Sequence, residues 1–166
     1  FFESMSGLTT TGATILGANT VFIEDLSHGL LFWRSFTQFI GGMGIILFTI
    51  AILPILGMGG SQLFRAEVPG PTSDKLTPRI KETAKYLWTI YVGLIIIETL
   101  VLYVEGIVFN IEKLTFFNAI CHSMTTIATG GFSTFNNSIL GFESDIVSWT
   151  IMFFMFLGAI NFYLHF

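Results

Sequence analysis

Three stretches of this chain stay predominantly apolar over twenty residues or more, at roughly 33–56, 86–107 and 146–166. About 20 helical residues cross the hydrocarbon core of a bilayer, so these three stretches, spans A, B and C, make lipid the expected solvent. Two other apolar stretches, 1–8 and about 114–127, are too short to cross. Each runs directly into a Thr/Gly cluster, TTTGAT at 9–14 and IATGGFST at 127–134. A short helix that enters a membrane and then breaks into irregular backbone is a re-entrant loop, tolerated at depth only where protein or a water-filled cavity satisfies it. The expected fold is therefore all-α and integral to a membrane, built from span–re-entrant loop–span repeats.

Composition supports that solvent. Only 11% of residues are charged, the mean hydropathy is +0.76, and a soluble domain usually carries about 25% charged residues. The net charge of −4 says little about partners, because the charges are unevenly placed. Five of the seven Lys and Arg (Arg65, Lys75, Arg79, Lys81, Lys85) lie between spans A and B, which places that connection in the cytoplasm. The other connections hold Glu105, Glu112, Glu143 and Asp145 against Lys113. Both short loops then dip in from the outer face. Trp33 and Trp149 open spans A and C at the outer interface, and Trp88 opens span B at the inner one, as an aromatic belt requires. Within the connection, Thr77 before Pro78 is a good helix start. That helix leads into span B, its basic side chains either setting topology beside anionic headgroups or forming a docking surface. Cys121 is the one cysteine, so no intrachain disulfide or Cys-rich metal site is possible, and it reads as a small packing residue. Both ends read as cuts through a longer polypeptide.

The two short loops align without gaps at an offset of 119: Ser4-Met5 with Ser123-Met124, Thr10 with Thr129, Gly12 with Gly131, Thr14 with Ser133. Trp33 precedes Gly42 by nine residues, and Trp149 precedes Gly158 by nine. Such a repeat suggests several units around a common axis. On this division, 1–56 is a pore helix, loop and second helix of one repeat. Residues 57–85 are the cytoplasmic connection, and 86–166 are the first helix, pore helix, loop and partial second helix of the next.

A cation leaving water needs its hydration shell replaced, and rings of backbone carbonyls do this in potassium-channel filters. Aiming successive carbonyls at an axis needs unusual backbone angles, which Gly accepts without strain. Thr10-Thr11-Gly12-Ala13-Thr14 and Thr129-Gly130-Gly131-Phe132-Ser133 both fit Thr-x-Gly-x-Ser/Thr. Each follows a short helix whose C-terminal end carries partial negative charge, favourable to a nearby cation. Small residues also line ordinary helix contacts in membranes, but two aligned clusters favour a lined ion path. The expected filter residues are Thr10, Thr11, Gly12, Ala13, Thr129, Gly130, Gly131 and Phe132. Carbonyls of Thr10, Thr11, Gly12, Thr129, Gly130 and Gly131 would be the cation ligands.

No P-loop, His/Glu metal pair or Ser–His–Asp spacing is present, so no enzyme is expected and no organic cofactor. His28, His122 and His165 lack partners at ligand spacing and read as packing residues, with a supporting hydrogen bond open to His122 beside the second loop. Glu98 sits mid-span in IIIETL, where an ionisable residue is a functional hypothesis by default. It is either a buried structural residue or part of the ion path. Arg34 and Gln38 open span A. Arg34 either snorkels outward or pins the first loop.

The stretches SGLTTTGATIL (6–16), FWRSFTQFIGGMGIILFTIAILP (32–54), LFRAEVPGP (63–71), KLTPRIKETAKYLW (75–88), HSMTTIATGGFST (122–134) and FLGAINFYLHF (156–166) resemble the Trk/Ktr/HKT superfamily of potassium transporters, its bacterial TrkH type above all. The resemblance covers nearly the whole chain. It implies potassium uptake, by symport or channel-like flux, through a potassium-channel-like pore of four repeats in one polypeptide. This chain would supply parts of repeats two and three, leaving half the pore outside it. The signature glycines of the family loops would be Gly12 and Gly131. A gate below the filter would fall on Gly158, Ala159, Ile160 and Asn161, where Gly and Asn weaken an apolar span. The family implies K+ as the transported ion, a homodimer, and a cytosolic nucleotide-binding regulatory subunit of TrkA-like kind. It also implies a multi-pass protein of the bacterial inner membrane, surrounded by lipid and its own remaining repeats rather than nucleic acid. Two alternatives stay open: a sodium or mixed-cation transporter of the same architecture, and a secondary transporter whose broken helices bind an organic substrate.

Overall fold

The computed structural model describes residues 1–17, 21–44 and 76–159, with the backbone alone over 76–84. Among the described residues there is no strand. The described residues form five α-helices: α1 (Phe2–Leu8), α2 (His28–Phe39), α3 (Leu76–Val108), α4 (Phe116–Ile127) and α5 (Asp145–Ala159). Short 3-10 turns cover Ile23–Asp25 and Ser138–Phe142.

Helix length separates the elements into two kinds. At 1.5 Å per residue, α1 and α4 rise only about 10 and 18 Å, well short of a hydrocarbon core of about 30 Å. Helix α3 has 33 residues and rises about 50 Å. Its stretch Lys85–Val108 is long and apolar enough to cross a membrane, the one such helix among the described residues. The connecting helix and span B are thus one continuous rod. Helix α4 starts where the Thr115 hydroxyl accepts from the Asn118 amide at 3.3 Å, satisfying one of the amides a helix N-terminus leaves orphaned.

Helix α4 lies between α3 and α5, and two apolar clusters hold the three together. One joins Leu87, Tyr91 and Ile95 of α3 to Met124 and Ile127 of α4 and Phe154 of α5. The other joins Leu102 of α3, Ala119 of α4, and Val147 and Ile151 of α5, closed by Leu114 and Phe142. The outward faces stay apolar: Ile96, Ile97, Leu100 and Val104 on α3, and Phe153 and Phe156 on α5, are exposed. Lipid or neighbouring protein accepts such faces; water does not.

Span A differs from the sequence expectation of a plain crossing helix. Helix α2 passes at Ile40 into a π turn, Ile40–Gly44, kinked at Gly42 (φ −58°, ψ −114°). Sharp kinks belong to Gly pairs and π turns, and Gly41-Gly42-Met43-Gly44 supplies both. The Tyr91 hydroxyl donates to the Phe39 carbonyl at 3.2 Å, beside the backbone that leaves regular helix geometry. A side chain at Gly42 would stand 2.6 Å from that same hydroxyl. Trp88, expected only at the interface, packs its ring edge-on against Phe39 and Tyr91. The remainder of span A lies outside the described residues, as do the end of span C, Ile160 and Asn161.

Candidate functional site

Both short helices end the same way. In α4 the Thr129 amide donates to the Thr126 carbonyl at 2.9 Å, and the Gly130 amide donates to the Thr125 carbonyl at 2.8 Å. In α1 the Thr10 amide donates to Gly7 and the Thr11 amide to Ser6, both at 2.9 Å. This is a Schellman termination, which needs a left-handed residue just past the cap. That residue is usually Gly; here it is Thr, at φ 52° for Thr10 and 51° for Thr129. A β-branched residue in this region is strained and persists only when its surroundings over-determine it. Two residues on, Gly12 and Gly131 are left-handed again, at φ 74° and 80°. Every one of these pairs is related by the offset of 119.

The peptide planes follow. No peptide bond among the described residues is cis, and in a planar trans peptide the carbonyl and amide point in opposite directions. The Gly130 amide faces back to α4, so the Thr129 carbonyl faces away from it. The Phe132 amide donates to Gln38 Oε1 on α2 at 3.1 Å, so the Gly131 carbonyl faces away from Gln38. The two loops touch: a side chain at Gly12 would collide with the Gly130 carbonyl, whereas one at Gly131 would meet open space.

Behind the loops lies a buried polar frame. Arg34, 6% exposed, donates from Nε to Glu3 at 3.0 Å, from one terminal nitrogen to the Ser133 carbonyl at 3.1 Å, and from the other to the Thr14 hydroxyl at 3.3 Å. Its guanidinium also stands 4.3 Å from the centre of the Phe132 ring. Arg34 therefore does not snorkel outward; it pins both loops. Phe132 is buried beneath it, so this member of the expected filter contributes main chain to the loop and a ring to the scaffold. Gln38 is fully buried against Gly130, where a side chain would collide with it.

Glu3 Oε1 accepts the Thr14 hydroxyl and the Ile15 amide, each at 2.8 Å. At the repeat-related position, His122 Nε2 lies 3.0 Å from the Ser133 hydroxyl and Nδ1 lies 2.8 Å from the Asn118 carbonyl. His122 is thus a loop support as well as a packing residue, stacked against Phe135 and met edge-on by Phe142. A cavity of about 40 Å³ opens there, lined by His122, Thr125, Thr126 and Ser133 together with Ile139 and Ile151. Farther out, Glu24 accepts from the Asn136 amide and side chain, joining the segments that follow the two loops.

Glu98 is fully buried on α3, with Thr126 of α4 as its polar neighbour and neither carboxyl oxygen at hydrogen-bond geometry to a partner. Gly158 sits within α5, and a side chain there would be 2.7 Å from the Ile127 carbonyl. Gly41 makes the same close approach to the Leu8 carbonyl, 119 residues before Ile127. The glycine matching Gly158 by contact is therefore Gly41, not Gly42 as sequence spacing paired them. Glu3 and the kink at Gly42 escaped the sequence reading; the first lay just before the aligned stretch, and the second was signalled by three glycines in four residues.

The family profile described as "TrkH: Cation transport protein" matches residues 1–166, the whole chain. The chain belongs to the TrkH family. Among curated TrkH relatives, the Trk system potassium uptake protein TrkH of Vibrio parahaemolyticus is 49% identical and that of Escherichia coli 51%, each over 100% of this chain and 32% of the relative. The Trk system potassium uptake protein TrkG of Escherichia coli is 41% identical over 97% of this chain and 31% of its own length. The chain spans about a third of these TrkH-family relatives.

Proposed function

We propose that this chain forms two of the filter loops of a potassium uptake protein, with the backbone of Thr10–Gly12 and Thr129–Gly131 as cation ligands. One observation carries the reading. Positions 119 residues apart repeat the same left-handed, ordinary, left-handed backbone, with the amides tied back into the scaffold and the Thr129 and Gly131 carbonyls turned away from it. Alternating handedness turns successive carbonyls, which in a strand would point to opposite sides, toward one side. That is the arrangement a dehydrated monovalent cation requires. The ends of α1 and α4 add the partial negative charge of a helix C-terminus. The curated relatives' names supply potassium as the ion.

The rest of the pore comes from further repeats, in a multi-pass protein of the bacterial inner membrane. The assembly is a homodimer, regulated by a cytosolic nucleotide-binding subunit that docks on the basic connection. The gate lies in span C at Gly158–Asn161, just beneath the contact of Gly158 with the end of α4; Gly158 and Ala159 are helical, and Ile160 and Asn161 lie outside the described residues. The test uses the full-length transporter in cells lacking other potassium uptake. Gly131→Val, whose Cβ would meet no neighbour but which opposes the left-handed backbone, should lower potassium-over-sodium discrimination. Discrimination equal to wild type would refute the filter.

A further inference from the structure

Resting on that reading, we infer that His122 is a positioning residue that sets ion discrimination by holding the second loop off the cavity behind it. The argument begins with the repeat. Glu3 and His122 occupy the same place on their pore helices, and each holds the hydroxyl eleven residues on: Thr14 at 2.8 Å and Ser133 at 3.0 Å. Two different side chains at one repeat position thus meet one requirement, an acceptor facing that hydroxyl. The His122 ring has its roles fixed by what surrounds it. The Asn118 carbonyl can only accept, so Nδ1 bears the hydrogen and Nε2 of the neutral ring accepts the Ser133 hydroxyl hydrogen. Ser133 Oγ in turn accepts the Phe135 amide at 3.0 Å. One side chain therefore fixes the far end of the loop at two points.

The cavity is why that fixing matters for discrimination. The space of about 40 Å³ is lined by Gly131, Phe132 and Ser133 of the loop together with His122. Close-packed interiors hold neighbours in place by contact alone; here contact is missing on one side. Without the tie, Ser133 has room to fall back, and the Gly131–Phe132 peptide is then held on that side by the Phe132 amide's bond to Gln38 alone. Arg34 holds only the Ser133 carbonyl, and without His122 the hydroxyl keeps just the Phe135 amide.

The experiment compares potassium and sodium uptake by the full-length transporter carrying His122→Leu, His122→Gln, Ser133→Ala, or His122→Leu with Ser133→Ala, alongside Gly131→Val. Membrane abundance is measured for each. His122→Leu and Ser133→Ala should each lower potassium-over-sodium discrimination roughly fivefold, the worth of one hydrogen bond. The double variant should be no worse than either single one, and His122→Gln, which keeps an acceptor toward Ser133, should restore most of the discrimination. Unchanged discrimination in His122→Leu or Ser133→Ala, or additive losses in the double variant, overturns the inference while an affected Gly131→Val leaves the filter reading standing. Should His122→Leu fail to reach the membrane, Ser133→Ala decides on the same terms. If Gly131→Val also matches wild type, the filter reading falls first.

Discussion

Behind the first loop stands a charged frame and behind the second a neutral one. Glu3 holds Thr14 and Ile15 and is itself held by Arg34, while His122 holds Ser133 and hangs from the Asn118 carbonyl of its own helix. The loop backbones are nevertheless alike to within a few degrees of φ. What is kept is the path of the main chain; what varies is the chemistry that enforces it. The link between the loops is also one-sided. Arg34 and Gln38 reach from the helix following the first loop to the main chain of the second, so α2 serves the second loop as well as its own.

The largest difference between the loops should appear at their glycines. Both Gly12 and Gly131 need a left-handed backbone, which costs another residue about 1–2 kcal/mol. Gly131→Ala meets nothing further, so uptake should persist with weakened discrimination. Gly12→Ala also drives its methyl into the Gly130 carbonyl, a main-chain atom that cannot step aside without moving the second loop. It should abolish uptake. Radiotracer uptake of both variants in one strain decides this, and equal damage would mean that the loops do not meet at that contact.

Next comes Arg34. Arg34→Met leaves Glu3 without its cation and the Ser133 carbonyl without its donor. Breaking one side of a buried ion pair costs on the order of 3 kcal/mol, and here both loops lose support. The melting temperature of the purified full-length protein should fall clearly, with discrimination lost as well. Pairing Arg34→Met with Glu3→Gln should recover part of the stability by removing the orphaned charge, but not the discrimination. A double variant as unstable as the sum of the two single ones would show that Arg34 and Glu3 act separately.

Helix existence was legible in the sequence because hydropathy and length decide it, and the loops were legible because a Thr/Gly cluster after a short helix has few other uses. The left-handed Thr10 and Thr129 were not, since propensity argues against a β-branched residue there; only the alignment of the repeats picked them out. Glu3 was missed because its role depends on Arg34, 31 residues on, and on Thr14 across the loop. The same holds for Gln38, whose partner, the Phe132 amide, lies 94 residues away. Ties of that kind are made by tertiary packing and leave no local period to read. The kink at Gly42 left a visible mark, three glycines in four, but an apolar run masks it when spans are counted by length.

The smallest effect is expected at the surface tie between Lys113 and Glu143, 2.6 Å apart, which joins the segments before and after α4. The Lys113 ammonium holds the Glu143 carboxyl below its ordinary range. A carboxyl whose folded value is depressed adds stability above its unfolded value and loses it as the pH falls through the folded one. Any contribution is therefore complete at neutral pH and gone only in acid. Both side chains are largely exposed, at 50% and 76%, so water and salt screen the attraction. Glu143→Gln should accordingly melt with wild type at neutral pH and physiological salt. A small deficit at low salt should close as the pH is lowered through the carboxylate range. A drop rivalling that of Arg34→Met would mean that the outer connections, rather than the buried frame, hold the loops in place.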